Sequence, residues 1–237
     1  MWKDGEFCFA RDNIIYKHLG HHPQILKSFG LEQHCPGIHS LRLELAPFGC
    51  LRQYITEHES PSPAIRLRMA LDVAKDVAYM HSKGVQHSNM SCLNLFLFDD
   101  FHVKLGDFGS SLLDGHDFKA TFYEETQYEL PLRGRSLRER PRIARELFAL
   151  GSAIYEITAW QRLFEGLSDS EVEVRHAREE FPSVEGNMAG PVIRKCWNEG
   201  FGSAMEPLVA LMQCISSAGG EKWLGMMSDF NRKVPSK

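Results

Sequence analysis

The sequence predicts an α+β fold in which one helix and one β-hairpin come first and a mainly helical remainder follows. Three observations predict it. Apolar residues recur at helical spacing from Met69 to Met80 and again from Glu146 to Trp160. β-leaning runs cluster in only two places, ahead of Pro47 and between Leu95 and Leu105. Gly and Pro punctuate the boundaries at Gly20, Pro23, Pro63 and Gly84.

The elements follow in order. Asp12–Leu19 (DNIIYKHL) reads as a short helix stopped by Gly20 and then Pro23. QILKSFGLE and HSLRLELA, separated by the turn-rich HCPGI, read as two hairpin strands. Leu51–Thr56 is a short helix, and Glu59-Ser-Pro-Ser-Pro63 is a bend. A long helix begins at Pro63, carries Met69, Val73, Val77 and Met80 on one face, and ends at Gly84. Leu95–Phe98 and His102–Leu105 are strands around the Asp99-Asp100 turn. Ser110–Pro141 is irregular. Glu146–Trp160 (ELFALGSAIYEITAW) is a strongly apolar and therefore buried helix. Helical segments near 170–180, 189–197 and 203–215 close the fold, and the tail after Gly219 reads as frayed.

Composition sets the class. Of 237 residues, 43% are hydrophobic and 24% charged, which excludes a chain disordered throughout, a collagen-like repeat and a coiled coil. The formal net charge of -4 gives no bulk electrostatic reason to seek nucleic acid or an anionic membrane. No apolar run approaches the roughly 20 residues that cross a bilayer. The opening MWKDGEFCFARDN is charged where a signal peptide is apolar. Six scattered cysteines without a CxxC pair then read as reduced thiols, so an intracellular, cytoplasmic location is expected.

Chemistry concentrates in GVQHSNMSCLNLFLFDDFHVKLGDFGSS, Gly84 to Ser111. His87-Ser-Asn-Met-Ser-Cys-Leu-Asn94 precedes a strand–turn–strand, and Asp107-Phe108-Gly109 follows it. This resembles the protein-kinase catalytic loop H-R-D-L-x-x-x-N and its D-F-G. A lone D-F-G recurs by chance; one at this distance from such a loop is specific. The resemblance extends to Asp12–Pro23 as the family's αC helix and HP turn, and to LRLELAPFGCLRQYI (41–55) as the fifth strand, hinge and next helix. ELFALG (146–151) is similar to D-x-W-x-x-G, and Cys196-Trp197 fits a late helix.

The resemblance implies a protein-kinase-like fold with a mainly helical C-lobe and a reduced N-lobe of αC plus a hairpin. Residues 1–46 would be that remnant and the hinge, 47–219 the C-lobe, and 220–237 the tail. It implies Mg-ATP as cofactor, with Asn94 and Asp107 as metal ligands and Leu43, Glu44, Ala46 and Phe96 against the nucleotide. Leu43 falls at the gatekeeper position. His87, Phe108 and Tyr16 are expected to pack rather than react, the last two as parts of a spine joining the lobes.

Several positions depart from the family pattern. Asn89 stands at the catalytic Asp, and an amide orients a hydroxyl without accepting its proton; losing a general base costs about 10²–10⁴ in rate. Ser91 takes the place of the loop Lys, and Ser88 that of the Arg that grips a phosphorylated segment. The eleven residues before Asp12 leave no room for three strands of about 5–6 residues each. Neither G-x-G-x-x-G nor a V-A-I-K-like lysine occurs. Glu146 replaces the Asp that opens the central helix, which is expected to alter support for the catalytic loop. Leu130-Pro131-Leu132 replaces A-P-E, and no Arg lies between Arg194 and Arg232 to pair with the lost Glu. The expected function is a degenerate pseudokinase serving as a binding, scaffold or regulatory module with weak or no ATP binding. The alternative is an active Mg-ATP-dependent kinase phosphorylating Ser/Thr (or Tyr) on proteins. Either one has a protein as partner or substrate, not nucleic acid or membrane.

Other features carry bland readings. His34, Cys35 and His39 lack a second Cys, so no zinc is expected. Ser110, Ser111, Thr121, Tyr123, Thr126 and Tyr128 read as ordinary segment residues rather than phosphosites. The basic run Arg133–Arg142 reads as a solvated loop. Trp2, Phe7 and Phe9 are expected to cover the reduced N-lobe.

Overall fold

The computed structural model describes residues 3–35, 38–118 and 124–217. Helix α1 spans Lys3–Leu19, nine residues longer at its start than the periodicity suggested, because KDGEFCFAR contains no helix-breaking proline. Ile15, Tyr16 and Leu19 bury its inner face. Phe9 is 47% exposed, so it does not cover the remnant as expected. Trp2 and the Phe7 side chain, like Thr121, Tyr123 and the tail 220–237, lie outside what is described.

Strands β1 (Ser28–Cys35) and β2 (Ile38–Leu43) form the hairpin, paired antiparallel with Leu31 opposite Leu41. Residues 24–27, expected in the first strand, instead run beside the second strand pair. Leu26 N donates to Leu105 O (2.8 Å) and Leu105 N to Gln24 O (3.0 Å). Helix α2 (Leu51–Glu57) follows the hinge, and α3 (Pro63–Ser82) starts on Ser62, whose hydroxyl accepts from Ile65 N (3.3 Å). Strands β3 (Val85–Gln86), β4 (Leu95–Leu97), β5 (Val103–Leu105) and β6 (Leu112–Leu113) then frame the catalytic loop. β4 pairs with β5, and β3 with β6, an antiparallel pair too short to leave a sequence signal.

The remainder is helical: α4 (Arg142–Ala159), α5 (Asp169–Ala177), α6 (Gly190–Trp197) and α7 (Met205–Ser217). Helix α4 is buried on nearly every face from Ala144 to Ile157, as its continuous apolar sequence requires. It packs so closely on α6 that a Cβ at Gly151 would lie 2.5 Å from Cys196 Cβ, which is why glycine sits there. This is the mixed α+β arrangement expected, a small hairpin-and-helix portion on a helical body.

Candidate active site

The catalytic loop between β3 and β4 is held by α4. Glu146 Oε1 accepts from His87 N (3.0 Å) and Oε2 from Ser88 N (3.1 Å). The bond pair fixes Ser88 at φ 62, a left-handed conformation uncommon for a residue other than glycine. The expectation that glutamate alters this support is therefore corrected: one carboxylate still satisfies two consecutive amides, and its extra methylene is absorbed by the packing. Within the loop, Asn94 Nδ2 donates to Asn89 O (2.8 Å), and His87 Nε2 donates to Gly106 O (2.9 Å).

A buried column of rings runs from α1 into this loop. Tyr16 meets Phe108 edge-on at 4.9 Å between centroids, and Phe108 meets His87 at 5.3 Å. All three are buried. Asp12, one turn ahead of Tyr16, closes the column: its Oδ1 accepts from Phe108 N at 2.9 Å. Burial pushes the Asp12 carboxyl up to about 7, against the pull of that N–H bond and with the Asp107 charge adding to the rise.

The four loop positions singled out in the sequence lie around this frame. Asn89 is half-buried. Ser91 is 2% exposed and its hydroxyl accepts from Leu93 N (3.2 Å), so it serves the loop's own backbone. Asp107 is exposed, sits at φ 61, and accepts weakly from Gly109 N (3.4 Å). Asn94 and Asp107 supply oxygen donors that suit a hard cation such as Mg²⁺. Among the described residues, no three or more His, Cys, Asp or Glu side chains converge on a possible metal position.

At the hinge, Glu44 is taken up by the fold. Its two oxygens accept from Lys104 Nζ (2.8 and 2.9 Å), and Oε1 also accepts from Lys27 N (2.6 Å). Leu43 packs half-buried against the core, and the Ala46 carbonyl accepts from Gly49 N (3.2 Å). Phe96 lies opposite Lys104 in the β4–β5 pair, and its ring covers Gly106. A Cβ at Gly106 would lie 3.0 Å from Phe96 Cε2 and 2.9 Å from Leu26 Cδ2. Asn94 and Asp107 thus carry oxygen donors of the type a hard cation takes, whereas Asn89 and Ser91 are neutral and Asp12 is bonded to the Phe108 amide.

The second polar centre, below the loop, was not foreseen. Arg52, 8% exposed, donates from Nε to Glu156 Oε2 (2.7 Å) and from its two terminal nitrogens to Glu125 (3.0 and 3.3 Å). Glu156 is fully buried; burial pushes its carboxyl up, and Arg52 offsets only part of that rise. The arginine run at 133–142 is the solvated loop expected at residues 136–139, 141 and 142, but Arg133, Arg135 and Arg140 are tied down. Arg133 bonds Glu179 (2.7 Å), Glu199 (2.6 Å) and Trp197 O (2.7 Å); Arg135 bonds Glu199 (2.6 Å). Arg140, 3% exposed, donates to Leu130 O and to Glu129 (2.7 Å). Glu179 and Glu199 are distant in sequence from the arginines, which hides those pairings from a local reading. The twin loss of acid at Leu132 and of arginine after Arg194 was the available signal, because a buried tie lost from both ends invites a replacement.

The expected bland residues also have definite places. His34 Nε2 bonds Ser40 Oγ (2.7 Å). Ser111 is fully buried with its hydroxyl donating to His87 O (3.1 Å), and Tyr128 is fully buried under Arg52. No described helix is long and apolar enough to cross a membrane.

Comparison with known proteins gives one coherent result. The sequence model of the family described as protein tyrosine and serine/threonine kinase matches residues 5–200. Serine/threonine/tyrosine-protein kinase HT1 of Arabidopsis thaliana is 28% identical over 69% of this chain and 43% of its own length. Mitogen-activated protein kinase kinase kinase 20 of the same plant is 26% identical over 66% of this chain and 49% of its own. Dual specificity testis-specific protein kinase 1 of Homo sapiens is 36% identical over 37% of this chain and 14% of its own. The chain thus spans less than half of each of these relatives.

Proposed function

The chain belongs to the protein tyrosine and serine/threonine kinase family, and from that premise we propose that it is a degenerate member, a pseudokinase that binds another protein as a scaffold or regulator and holds Mg-ATP weakly or not at all. One observation carries this reading. The catalytic loop is fully built, with Glu146 and Asn94 bonding its backbone, yet the residue it presents at the base position is Asn89. An amide orients an incoming hydroxyl but takes no proton from it. The surrounding charges support the same reading. Asp12, at the αC acid position, bonds the Phe108 amide, and Ser91 bonds its own loop where a lysine would meet the transferring phosphate.

Mg-ATP, when bound to a member of this family, supplies the phosphoryl group and the metal that neutralises it. Here Asn94 and Asp107 would hold the cation, and Phe96 and Leu43 would face the base. A second reading, an active kinase acting on Ser/Thr or Tyr of a protein, is favoured by those two retained oxygen donors and by the kinase names of the relatives.

Thermal unfolding with and without Mg-ATP separates the two. A ligand at a hundred times its Kd adds about 2.7 kcal/mol. The expected result is no shift at millimolar Mg-ATP and no phosphate transfer to generic protein substrates. Transfer above background that Asp107→Ala abolishes would overturn the proposal.

A further inference from the structure

His102, at the mouth of β5, touches two acceptors at once. Its Nδ1 lies 3.1 Å from Asp72 Oδ2 on α3, and its Nε2 lies 3.2 Å from Pro23 O in the segment that leaves α1. A neutral imidazole carries one N–H, so it can donate to only one of them and turns a lone pair on the other. Both contacts are satisfied together only by the imidazolium. We propose that His102 is a proton-operated latch that, when charged, ties the segment after α1 to the helical body and, when neutral, releases it.

The groups around the ring fit this role. From α3, Asp72 Oδ2 faces it directly, while Asp72 Oδ1 accepts from Gln24 Nε2 (3.2 Å) and Lys75 Nζ (3.3 Å). Asp76, also on α3, is fully buried with neither carboxyl oxygen hydrogen-bonded, and burial pushes its carboxyl well up. From β5, Lys104 opposes the imidazolium, but its charge is met by Glu44. On the ring's own turn, Asp99 and Asp100 are exposed. From the segment itself, Gln24 is neutral and His22, stacked on Tyr79, is pushed down by burial and by His21. The hydrogen bond to Asp72 raises the His102 pKa above its ordinary value, so the latch opens at a higher pH than that at which a free imidazole deprotonates. The segment it holds precedes the hairpin and follows the helix bearing Asp12 and Tyr16, so release loosens the remnant small lobe from the column of rings.

Two measurements test this on the intact chain. Ring ¹⁵N NMR at pH 6 is expected to show His102 doubly protonated; a neutral tautomer there overturns the latch. Amide hydrogen exchange of Leu26 and Leu105, corrected for intrinsic base catalysis, is expected to lose about tenfold in protection as His102 deprotonates, the scale of one charge-assisted bond. In His102→Gln, which keeps a side-chain amide but cannot titrate, protection is expected to be flat with pH. An Asp72→Asn variant should move the wild-type midpoint down. Flat protection in the wild type, or an unchanged profile in His102→Gln, sinks the proposal.

Discussion

The upper face of the catalytic loop and its underside were built on opposite electrostatic terms. Above, at Asn89, Ser91 and Ser88, side chains that carry charge in related kinases are neutral, and the Ser91 hydroxyl is engaged with the loop's own backbone. Below, arginine and carboxylate groups are dense, buried or half-buried, and paired, most of them across long sequence separations: Arg52 with Glu156 and Glu125, Arg133 and Arg135 with Glu199, Arg140 with Glu129. The difference teaches where the constraint lies. A face that positions a triphosphate needs charges without internal partners, whereas a face that fixes the activation segment needs charges that are mutually satisfied. This chain holds charges of the second kind and, at Asn89, Ser91 and Ser88, none of the first.

The reversed polarity of one tie makes the point sharper. Leu132 stands where the family carries an acid, and the next residue, Arg133, forms the tie with Glu199 and Glu179. The end of this segment is thus linked to the helices below it by a cation on the segment side and carboxylates on the helix side. Electrostatics in a closed pair is indifferent to which side holds the cation, so the substitution keeps the segment anchored.

The largest expected effect comes from the underside. Arg52→Ala leaves Glu156 fully buried beside an empty space, and removing one partner of a buried pair costs about 3–5 kcal/mol. Chemical denaturation should show it, and an Arg52→Met, Glu156→Gln double variant should recover part of the loss. A fall below about 1 kcal/mol, in the range typical of exposed pairs, would break the contrast between the faces. Next comes Glu199→Gln, expected to cost about 1 kcal/mol because the pair is partly open to solvent. The bonds to Arg135 and Arg133 hold the Glu199 carboxyl down at about 2, so its contribution is present above the ordinary range near 4.5 and is lost as pH falls toward 2. The wild type should therefore lose more stability on acidification through that window than the glutamine variant does.

Much of the fold was legible because its signals are local. The spacing of Met69, Val73, Val77 and Met80 located α3, and the unbroken apolar run of Glu146–Trp160 announced a helix buried all round. His87, Asn94 and Asp107 were legible because their spacing is fixed by one short loop and one strand pair. What escaped depends on residues far apart. The Glu146 clamp was misjudged because sequence shows the longer side chain but not the room for it. The arginines at 133–140 read as a solvated run because Glu179 and Glu199 arrive only when α5 and α6 fold back beside them. Likewise, the start of α1 carried no apolar periodicity, so only the backbone revealed that the helix reaches back to Lys3.

The smallest expected effect is at the upper face, and it tests the contrast most directly. Asn89→Asp restores the missing carboxylate at a half-buried position whose backbone carbonyl, not its side chain, is the atom bonded by Asn94. The loop should therefore hold its shape, with stability within about 0.5 kcal/mol of the wild type. Activity should also be unchanged from background, because a base alone contributes about 10²–10⁴ to a step for which Ser91 supplies no charge and Asp12 is bonded to the Phe108 amide instead of a lysine. Phosphate transfer appearing in Asn89→Asp would show that the upper face is one substitution from function and that its neutrality is shallow. Silence in activity together with an unperturbed fold would show that a carboxylate at this one position does not by itself restore charge-handling to the upper face.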